Sequence, residues 1–401
     1  MKKLFLPLLL FVVFACSPGN PAESEKSNAE PAAEEEVEIA IGSSEGLELD
    51  RLNLPDGFKV DLFGRAKQAR SMAMSPGGTL FIGSRSTTGN VQALRDTDGD
   101  NKADERYTLA KGLNMPNGVA FKDGDLYVAE VSKLWKFENI EANLDNPGEP
   151  VLIYDDLPTE RHHGWKYIAF GPDGKLYVPV GAPCNICESD EIYTSILRMN
   201  ADGSDREIYV TGVRNTVGFT WHPDTKDLWF TDNGRDWLGD DSPSCELNRA
   251  TEQGQHFGYP YCHAGSVVDP GIDDDKQEFK KQPTCDGYVA PAQNLGPHVA
   301  PLGLKFYTAS MFPAAYQGKI LIAEHGSWNR TPEAGHTGHQ LSMVSESNGV
   351  GTSYEPFITG WLNQETNQAW GRPVDILVMK DGSILVSDDL SGTIYRITYE
   401  S

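Results

Sequence analysis

Six copies of one sequence phrase constrain the fold of this chain more than any other feature. Each copy has a short apolar run, a turn containing Pro, Asp or Gly, and a second apolar run that ends in a small or polar residue. Short alternating runs bounded by such turns indicate β-hairpins, and no extended helical periodicity competes with them. The copies lie at residues 71–84, 117–129, 167–179, 217–231, 301–323 and 374–387.

A single hairpin unit of this length cannot cover both of its faces, so such repeats become stable when they pack around a common axis. Six copies therefore predict an all-β fold, a six-bladed β-propeller. An irregular β-sandwich with coincidental hairpins is the alternative. In a propeller the loops at one end of the central channel converge, and we expect the functional site there.

The N-terminus predicts export. Lys2 and Lys3 precede an apolar run that ends at Ala15, a pattern typical of a secretory signal and too short to span a bilayer. Cys16 follows a small residue, as in the lipobox of bacterial lipoproteins. Residues 1–15 are therefore interpreted as a lipoprotein signal peptide, and Cys16 as a lipid anchor on the periplasmic or cell-surface side of a membrane. An ordinary signal peptide cleaved elsewhere is the alternative.

Composition separates a tether from a domain. Residues 16–46 are rich in Pro, Ala, Ser, Asn and Glu, which predicts a disordered acidic tether, whereas residues 47–401 are long enough for one propeller domain. The formal net charge of −24, from 34 basic and 58 acidic residues, argues against nucleic acid as a partner. A neutral sugar is compatible with this charge.

Five cysteines remain after Cys16, and an oxidising compartment favours their pairing. Cys262 and Cys285 flank one long insertion and are the expected bridge. For the others, either Cys184 and Cys187 pair with each other or one of them pairs with Cys245. One cysteine must remain unpaired.

The strongest local chemical signal is the pair His162 and His163, just before the third repeat. A histidine that enters an innermost strand would point toward the channel mouth, where a near-neutral imidazole can accept a proton from a hydroxyl group. A surface or metal-binding pair is the alternative interpretation. The spacing to the following GPD turn at 171–173 favours His163 over His162 as the base.

Several motifs, taken in order, resemble one known family over residues 54–397. They are FGPDGKLY at 170–177, GVRN at 212–215, TDNG at 231–234, LGPHVAPLG at 295–303, EHGSWNR at 324–330 and GRPVD at 371–375. In this order and spacing the chain resembles the soluble glucose/sorbosone dehydrogenases, which use pyrroloquinoline quinone (PQQ), and in particular their sorbosone-dehydrogenase-like branch.

The resemblance implies roles for individual residues. His163 corresponds to the base that removes a proton from the sugar hydroxyl while hydride passes from C1 to the quinone. Arg214 corresponds to the cation that polarises the quinone oxygen, and Asn215 to a hydrogen-bonding partner of the cofactor. Arg330 and Arg372 correspond to cations for the carboxylates of PQQ, which guanidinium groups bind in bidentate fashion.

The resemblance also implies Ca²⁺, held by the backbone carbonyls of Gly234 and Arg235, since calcium prefers oxygen ligands. It implies a sugar substrate and reoxidation by a quinone or a cytochrome. The acidic segment 96–105 is either a second calcium loop or a solvated turn; it lacks the complete EF-hand pattern.

Two other functional classes remain open on the same fold. One is a calcium-dependent, lactonase-like hydrolase, which needs carboxylate and Asn side chains around a metal in the channel. The other is a non-catalytic propeller that binds glycans or proteins.

Overall fold

The computed structural model describes residues 39–400, which form 28 β-strands and three single-turn 3-10 helices. The helices span Leu49–Arg51, Ile140–Ala142 and Ala314–Tyr316. The strands make six four-stranded antiparallel sheets and two short hairpins. The prediction of a six-bladed all-β propeller is therefore confirmed.

Strand β1 (Phe58–Arg65) comes first in the chain but belongs to the last blade. The first blade contains β2 (Ala69–Met74), β3 (Leu80–Ser84), β4 (Gly89–Arg95) and β5 (Glu105–Leu113). The second contains β6 (Gly118–Lys122), β7 (Asp125–Ala129), β8 (Leu134–Phe137) and β9 (Val151–Tyr154). The third contains β10 (Ala169–Phe170), β11 (Leu176–Val180), β12 (Ser195–Met199) and β13 (Glu207–Thr211).

The fourth blade carries an insertion before its outer strand. It contains β14 (Phe219–Trp221), β15 (Leu228–Asp232), β16 (Ser244–Ala250) and β19 (Gln293–Pro297), and the inserted hairpin is β17 (Cys262–His263) with β18 (Val267–Val268). The fifth blade contains β20 (Pro301–Phe306), β21 (Ile320–Glu324), β22 (Gln340–Ser347) and β23 (Val350–Ile358). The hairpin β24 (Leu362–Asn363) with β25 (Gln368–Ala369) precedes the sixth blade, which contains β26 (Pro373–Val378), β27 (Ile384–Asp388) and β28 (Thr393–Tyr399).

The sixth blade closes the ring. Its outer strand is β1, which pairs antiparallel with β28 so that Phe58 lies opposite Tyr399 and Arg65 opposite Thr393. The two ends of the domain therefore share one sheet, and this pairing closes the ring of blades.

The sequence repeats correspond to the two inner strands of each blade. The second strands β3, β11, β15, β21 and β27 are buried over their whole length, because blades pack against them on both faces. Such strands need the near-continuous apolar runs that the repeats contain. The hairpin turns need positive φ, which Gly124 (φ +97°) and Gly174 (φ +76°) adopt without a steric penalty.

Buried polar side chains link neighbouring blades near the axis. The Ser71 hydroxyl donates to the Asn117 carbonyl, and the Asn117 amide donates to the Lys166 carbonyl at 2.7 Å. Thr231 donates to the Leu302 carbonyl at 2.6 Å. These side chains satisfy backbone groups at the joins between blades, where no sheet ladder is available.

The described residues at the N-terminal end contact the propeller. Arg65 donates from Nε to the Ser43 carbonyl at 2.8 Å and from Nη2 to the Glu45 carbonyl, and Ile41 packs against the core around Phe63. The predicted signal peptide, Cys16 and the tether up to residue 38 lie outside the described residues. Within residues 39–400, no helix has the length and apolar character needed to cross a bilayer.

Two disulfides are present among the described cysteines. Cys262 pairs with Cys285, which confirms the expected bridge across the insertion. Cys184 pairs with Cys187, which decides between the alternatives left open by the sequence, and Cys245 is the buried free thiol.

Candidate functional site

A cavity of about 570 Å³ opens at one end of the propeller. Its walls come from the residues before the first strands and after the second strands of the blades. Because paired inner strands run antiparallel, these positions meet at the same edge, opposite the hairpin turns. The lining includes Arg70, Arg85, Arg161, His162, His163, Trp165, Arg214, Asn215, Asn233, Gly234, Asp236, His298, His325, Trp328, Asn329 and Arg372.

The charge of this cavity is opposite to that of the whole chain. Five arginines line it, whereas Asp236 is the one carboxylate in the lining, although the chain carries a formal net charge of −24. A concave wall with one sign of charge concentrates its field on the space it encloses. The cavity is therefore suited to an anionic ligand.

His163 is held as a neutral imidazole at the cavity wall. Its Nδ1 lies 2.9 Å from the Ala182 carbonyl and must donate there, so Nε2 is left without a proton. Burial first, and then the positive charge of Arg214, hold the pKa of His163 well below 6.5. Backbone φ at His163 is +50°, and a Cβ on the adjoining Gly181 would lie 2.5 Å from the His163 Cβ. The arrangement presents an unprotonated Nε2 at neutral pH, as a general base requires.

Arg214 is a buried hub whose five N–H groups all have protein partners. Nε and Nη2 donate to the carbonyl and the side-chain oxygen of Asn185, each at 2.9 Å. Nη2 also pairs with Asp236 at 2.9 Å, and Nη1 donates to the carbonyls of Asn233 at 3.2 Å and Gly234 at 2.8 Å. Arg214 therefore acts on the cavity through its charge, because it has no N–H left for a ligand.

The segment predicted to hold calcium makes other contacts in this structure. The Gly234 carbonyl accepts a hydrogen bond from Arg214 at 2.8 Å. The Arg235 side chain pairs with the buried carboxylate of Asp269 in the insertion. Calcium at Gly234 and Arg235 stays a prediction, and no step of the chemistry below depends on it.

Asn215 and Arg372 present polar groups that the protein does not use. The Asn215 Oδ1 is buried in the cavity wall without a hydrogen-bond partner. Arg372 donates to the carbonyls of His325 at 2.8 Å and Gly326 at 2.6 Å, and no carboxylate in the described part of the chain pairs with it. Burial lowers the pKa of Arg372 to about 10, so it remains charged at neutral pH. Both residues therefore offer polar groups to a ligand, and their roles in cofactor binding stay predictions.

Arg330 is not among the residues that line the cavity. Its Nε donates to the Gly335 carbonyl at 2.7 Å, and its Nη1 contacts the Asp240 carbonyl and the Asp241 carboxylate, the latter at 3.2 Å. The guanidinium thus joins two loops at the mouth of the cavity. The geometry does not support its predicted role as a cation for the cofactor carboxylates.

Three further arginines face the cavity and were not predicted as site residues. Arg70 and Arg85 approach Asp389 at 3.0 and 3.4 Å, while Arg161 is exposed and has no side-chain partner within residues 39–400. His325 also contacts Asp389, at 2.8 Å. The sequence positions of Arg70 and Arg85 could have indicated this, because both immediately flank the first repeat, at the ends of the inner strands.

Two buried carboxylates lie behind this wall. Asp232 and Glu246 face each other across neighbouring strands, and Asp232 accepts the backbone N–H groups of Arg214 at 2.8 Å and Asn215 at 2.6 Å. Burial first, and then the charge of Asp232, raise the pKa of Glu246 above 4.5. Asp232 thus positions the two predicted site residues, and the pair favours retention of a proton on Glu246.

We expect the stability of Glu246→Gln relative to the wild type to increase as pH rises. Native Glu246 retains a proton that the unfolded chain releases above its pKa of 4.5, so the wild type loses stability above that pH, whereas glutamine does not titrate. Urea unfolding at about pH 5 and about pH 8.5 measures the difference between variant and wild type. The exposed Glu365→Gln is the control for loss of one charge. An equal difference at both pH values would contradict the assignment.

One cluster of carboxylates outside the cavity has the spacing of metal ligands. Ligand oxygens of Asp96, Asp98 and Asp104 lie within 4.8 Å of one another, and this is the one such group of three or more found in residues 39–400. The carboxylates accept hydrogen bonds within their own loop, for example from Gly99 at 2.7 Å and Asn101 at 2.8 Å. A second calcium here stays a prediction.

Comparison with known proteins decides the family. A family model described as TrAA12-like matches residues 52–400. The chain belongs to the TrAA12-like family. A relative from Borreliella burgdorferi, an uncharacterised protein, is 34% identical over 361 residues, which cover 87% of this chain and 91% of the relative.

Other relatives of this TrAA12-like chain carry functional names. A PQQ-dependent pyranose dehydrogenase of Coprinopsis cinerea is 28% identical over 166 residues, 35% of this chain and 22% of that protein. Its PQQ domain has a TM-score of 0.70 at 19% identity, with 86% of this chain and 97% of that one covered. The predicted resemblance to PQQ-dependent sugar dehydrogenases is confirmed.

Two further structures show the same fold. A calcium structure of the Trichoderma reesei AA12 enzyme has a TM-score of 0.73 at 20% identity, covering 91% of this chain and 99% of that one. A PQQ-bound aldose sugar dehydrogenase from Streptomyces coelicolor has a TM-score of 0.59 at 17% identity, covering 87% of this chain and 100% of that one.

Proposed function

We propose that this TrAA12-like protein is a PQQ-dependent sugar oxidoreductase. The observation that carries the proposal is the combination, in one cavity of an acidic protein, of five arginines with a lining histidine whose Nδ1–H bond leaves Nε2 without a proton. The names of the Coprinopsis and Streptomyces proteins support the cofactor and the substrate class.

The cavity fits PQQ by charge and by unused polar groups. PQQ carries three carboxylates, for which guanidinium groups are suitable partners. Arg372, Arg161 and Arg85 lie in the lining without a full set of protein acceptors, and Asn215 offers its unpartnered side-chain oxygen. When bound, PQQ would supply a two-electron acceptor for the hydride of the sugar.

His163 would accept the proton that leaves the sugar hydroxyl. Its Nδ1–H bond to the Ala182 carbonyl fixes the tautomer, so the proton would arrive at Nε2. Burial, and after it the nearby charge of Arg214, lower the pKa of His163 and keep the imidazole neutral before the reaction. The positive charge of Arg214 would also stabilise negative charge that develops on the ligand, without a direct hydrogen bond.

A metal-dependent hydrolase is less consistent with this site. Such an enzyme needs several carboxylate or amide oxygens around a cation in the channel. Asp236 is the one carboxylate of the cavity lining, and it already pairs with Arg214. Export, the Cys16 lipid anchor, calcium and reoxidation by a quinone or cytochrome stay predictions.

We expect Arg372→Gln to weaken PQQ binding by about 10- to 100-fold, because hydrogen bonds to charged groups contribute about 1.5–3 kcal/mol. Calorimetric titration of PQQ into wild-type and variant protein measures the two dissociation constants. Arg51→Gln, which removes an exposed surface ion pair, is the matched control. If Arg372→Gln binds PQQ as the wild type does, Arg372 is not a cofactor ligand; if the wild type does not bind PQQ, the proposed function fails.

A further inference from the structure

Two exposed tryptophans lie together at the mouth of the cavity. Trp237 is 66% exposed and Trp328 is 62% exposed, the highest values among the exposed large apolar side chains of residues 39–400. Their ring centroids are 5.6 Å apart at an interplanar angle of 89°. Single exposed apolar residues are ordinary, but two large indoles in contact form an apolar patch that indicates a binding surface.

The pair belongs to the rim of the cavity. Trp328 lines the cavity directly, and Trp237 follows Asp236, which also lines it. The two indoles come from different loops, one after β15 and one after β21. A ligand that extends out of the cavity on this side would therefore meet both rings.

Polar contacts lock these two loops together. Asn329 donates to the Asp236 carboxylate, and Thr331 donates to the Asp240 carboxylate from its hydroxyl and its backbone N–H, both at 2.8 Å. Arg330 contacts the carbonyl of that same Asp240. Arg330 and its two neighbours thus connect the loops that carry the two indoles.

Trp237 also carries backbone strain. Its φ is +64°, a conformation that is unusual for a bulky residue and costs free energy unless the surroundings enforce it. Strain of this kind is concentrated at ligand-binding sites.

We propose that Trp237 and Trp328 form a second sugar-ring subsite outside the cavity, so that the preferred substrates have at least two linked rings. This inference rests on the proposed function, since the ring to be oxidised would lie inside near His163. The flat apolar face of a pyranose packs on an indole, and the exposed carboxylate of Asp241 can accept hydrogen bonds from the sugar hydroxyl groups. Binding energy from such a remote ring improves selection of the longer substrate.

The kinetic test compares one-ring and two-ring sugars with the full chain reconstituted with PQQ. For Trp237→Ala, outside the cavity lining, we expect KM for the better of cellobiose and maltose to rise about tenfold, while KM for glucose changes less than about twofold. Trp328→Ala should raise the disaccharide KM at least as much. Trp328→Phe should recover most of the loss. Val350→Ala, a similarly exposed apolar residue in the β22–β23 hairpin, is the matched control.

Calorimetry on the same proteins without PQQ separates this inference from the proposed function. Binding of a disaccharide that weakens about tenfold in Trp328→Ala, with no change in Val350→Ala, supports the subsite whether or not turnover occurs. Equal disaccharide binding in wild type and both alanine variants overturns it, as does an absence of disaccharide binding to the wild type. The subsite is also overturned if the two alanine variants lose only the rate measured with cytochrome c as electron acceptor. In that case the tryptophan patch binds a protein partner.

Discussion

His163→Ala lowers the turnover of sugar by about 10²- to 10⁴-fold, the usual contribution of a positioned general base. The imidazole is the group whose tautomer the Ala182 carbonyl fixes and whose Nε2 is unprotonated at the cavity wall. Steady-state rates with an artificial electron acceptor measure the loss. Binding of PQQ is retained, because His163 contributes no cation to the carboxylates.

The neighbouring histidine provides the matched control. His162 also lines the cavity, with its ring centroid 4.0 Å from that of His163, but it is more exposed and lacks the bond to Ala182. We expect His162→Ala to retain most of the wild-type rate. If His162→Ala loses turnover and His163→Ala does not, the base has been assigned to the wrong histidine.

Arg214→Leu destabilises the protein by about 3–5 kcal/mol, the cost of removing one partner of a buried ion pair. The substitution leaves the Asp236 carboxylate without its cation and removes the donors that satisfy the Asn185, Asn233 and Gly234 carbonyls. Urea unfolding of the protein without cofactor measures the change. It needs no assumption about the reaction.

The controls for Arg214 separate charge from geometry. Arg214→Lys keeps the charge but cannot reproduce the five hydrogen bonds of a planar guanidinium, so it should lie between wild type and Arg214→Leu in stability. An exposed ion pair contributes up to about 1 kcal/mol to the free energy of unfolding. A smaller loss than this in Arg214→Leu would contradict the assignment of Arg214 to a buried, fully hydrogen-bonded ion pair.

The fold could be predicted from sequence because each blade repeats one local pattern. The buried second strands require apolar runs, and the turns require Gly, Asp or Pro, so both features are visible in the residue order. Closure of the ring by β1 is less visible. It depends on a pairing between residues 58–65 and 393–399, which are far apart in the sequence.

The site could be predicted in part. His163, Arg214, Asn215 and Arg372 meet in one cavity, as their positions in the repeats indicate. Side-chain direction in loops could not be predicted, and Arg330, expected beside the cofactor, contacts the carbonyls of Gly335 and Asp240. The hydrogen bond between Gly234 and Arg214 likewise depends on how a loop turns its carbonyl.

We propose that this cavity binds PQQ and that a sugar reduces the bound cofactor. The most direct measurement is the absorption spectrum of the full chain mixed with PQQ, recorded before and after addition of excess glucose or cellobiose. We expect the band of the oxidised quinone to be bleached while a band of the reduced cofactor grows, and His163→Ala to slow this change. A bound cofactor that no sugar reduces, or a cavity that takes up no PQQ, would contradict the proposed function.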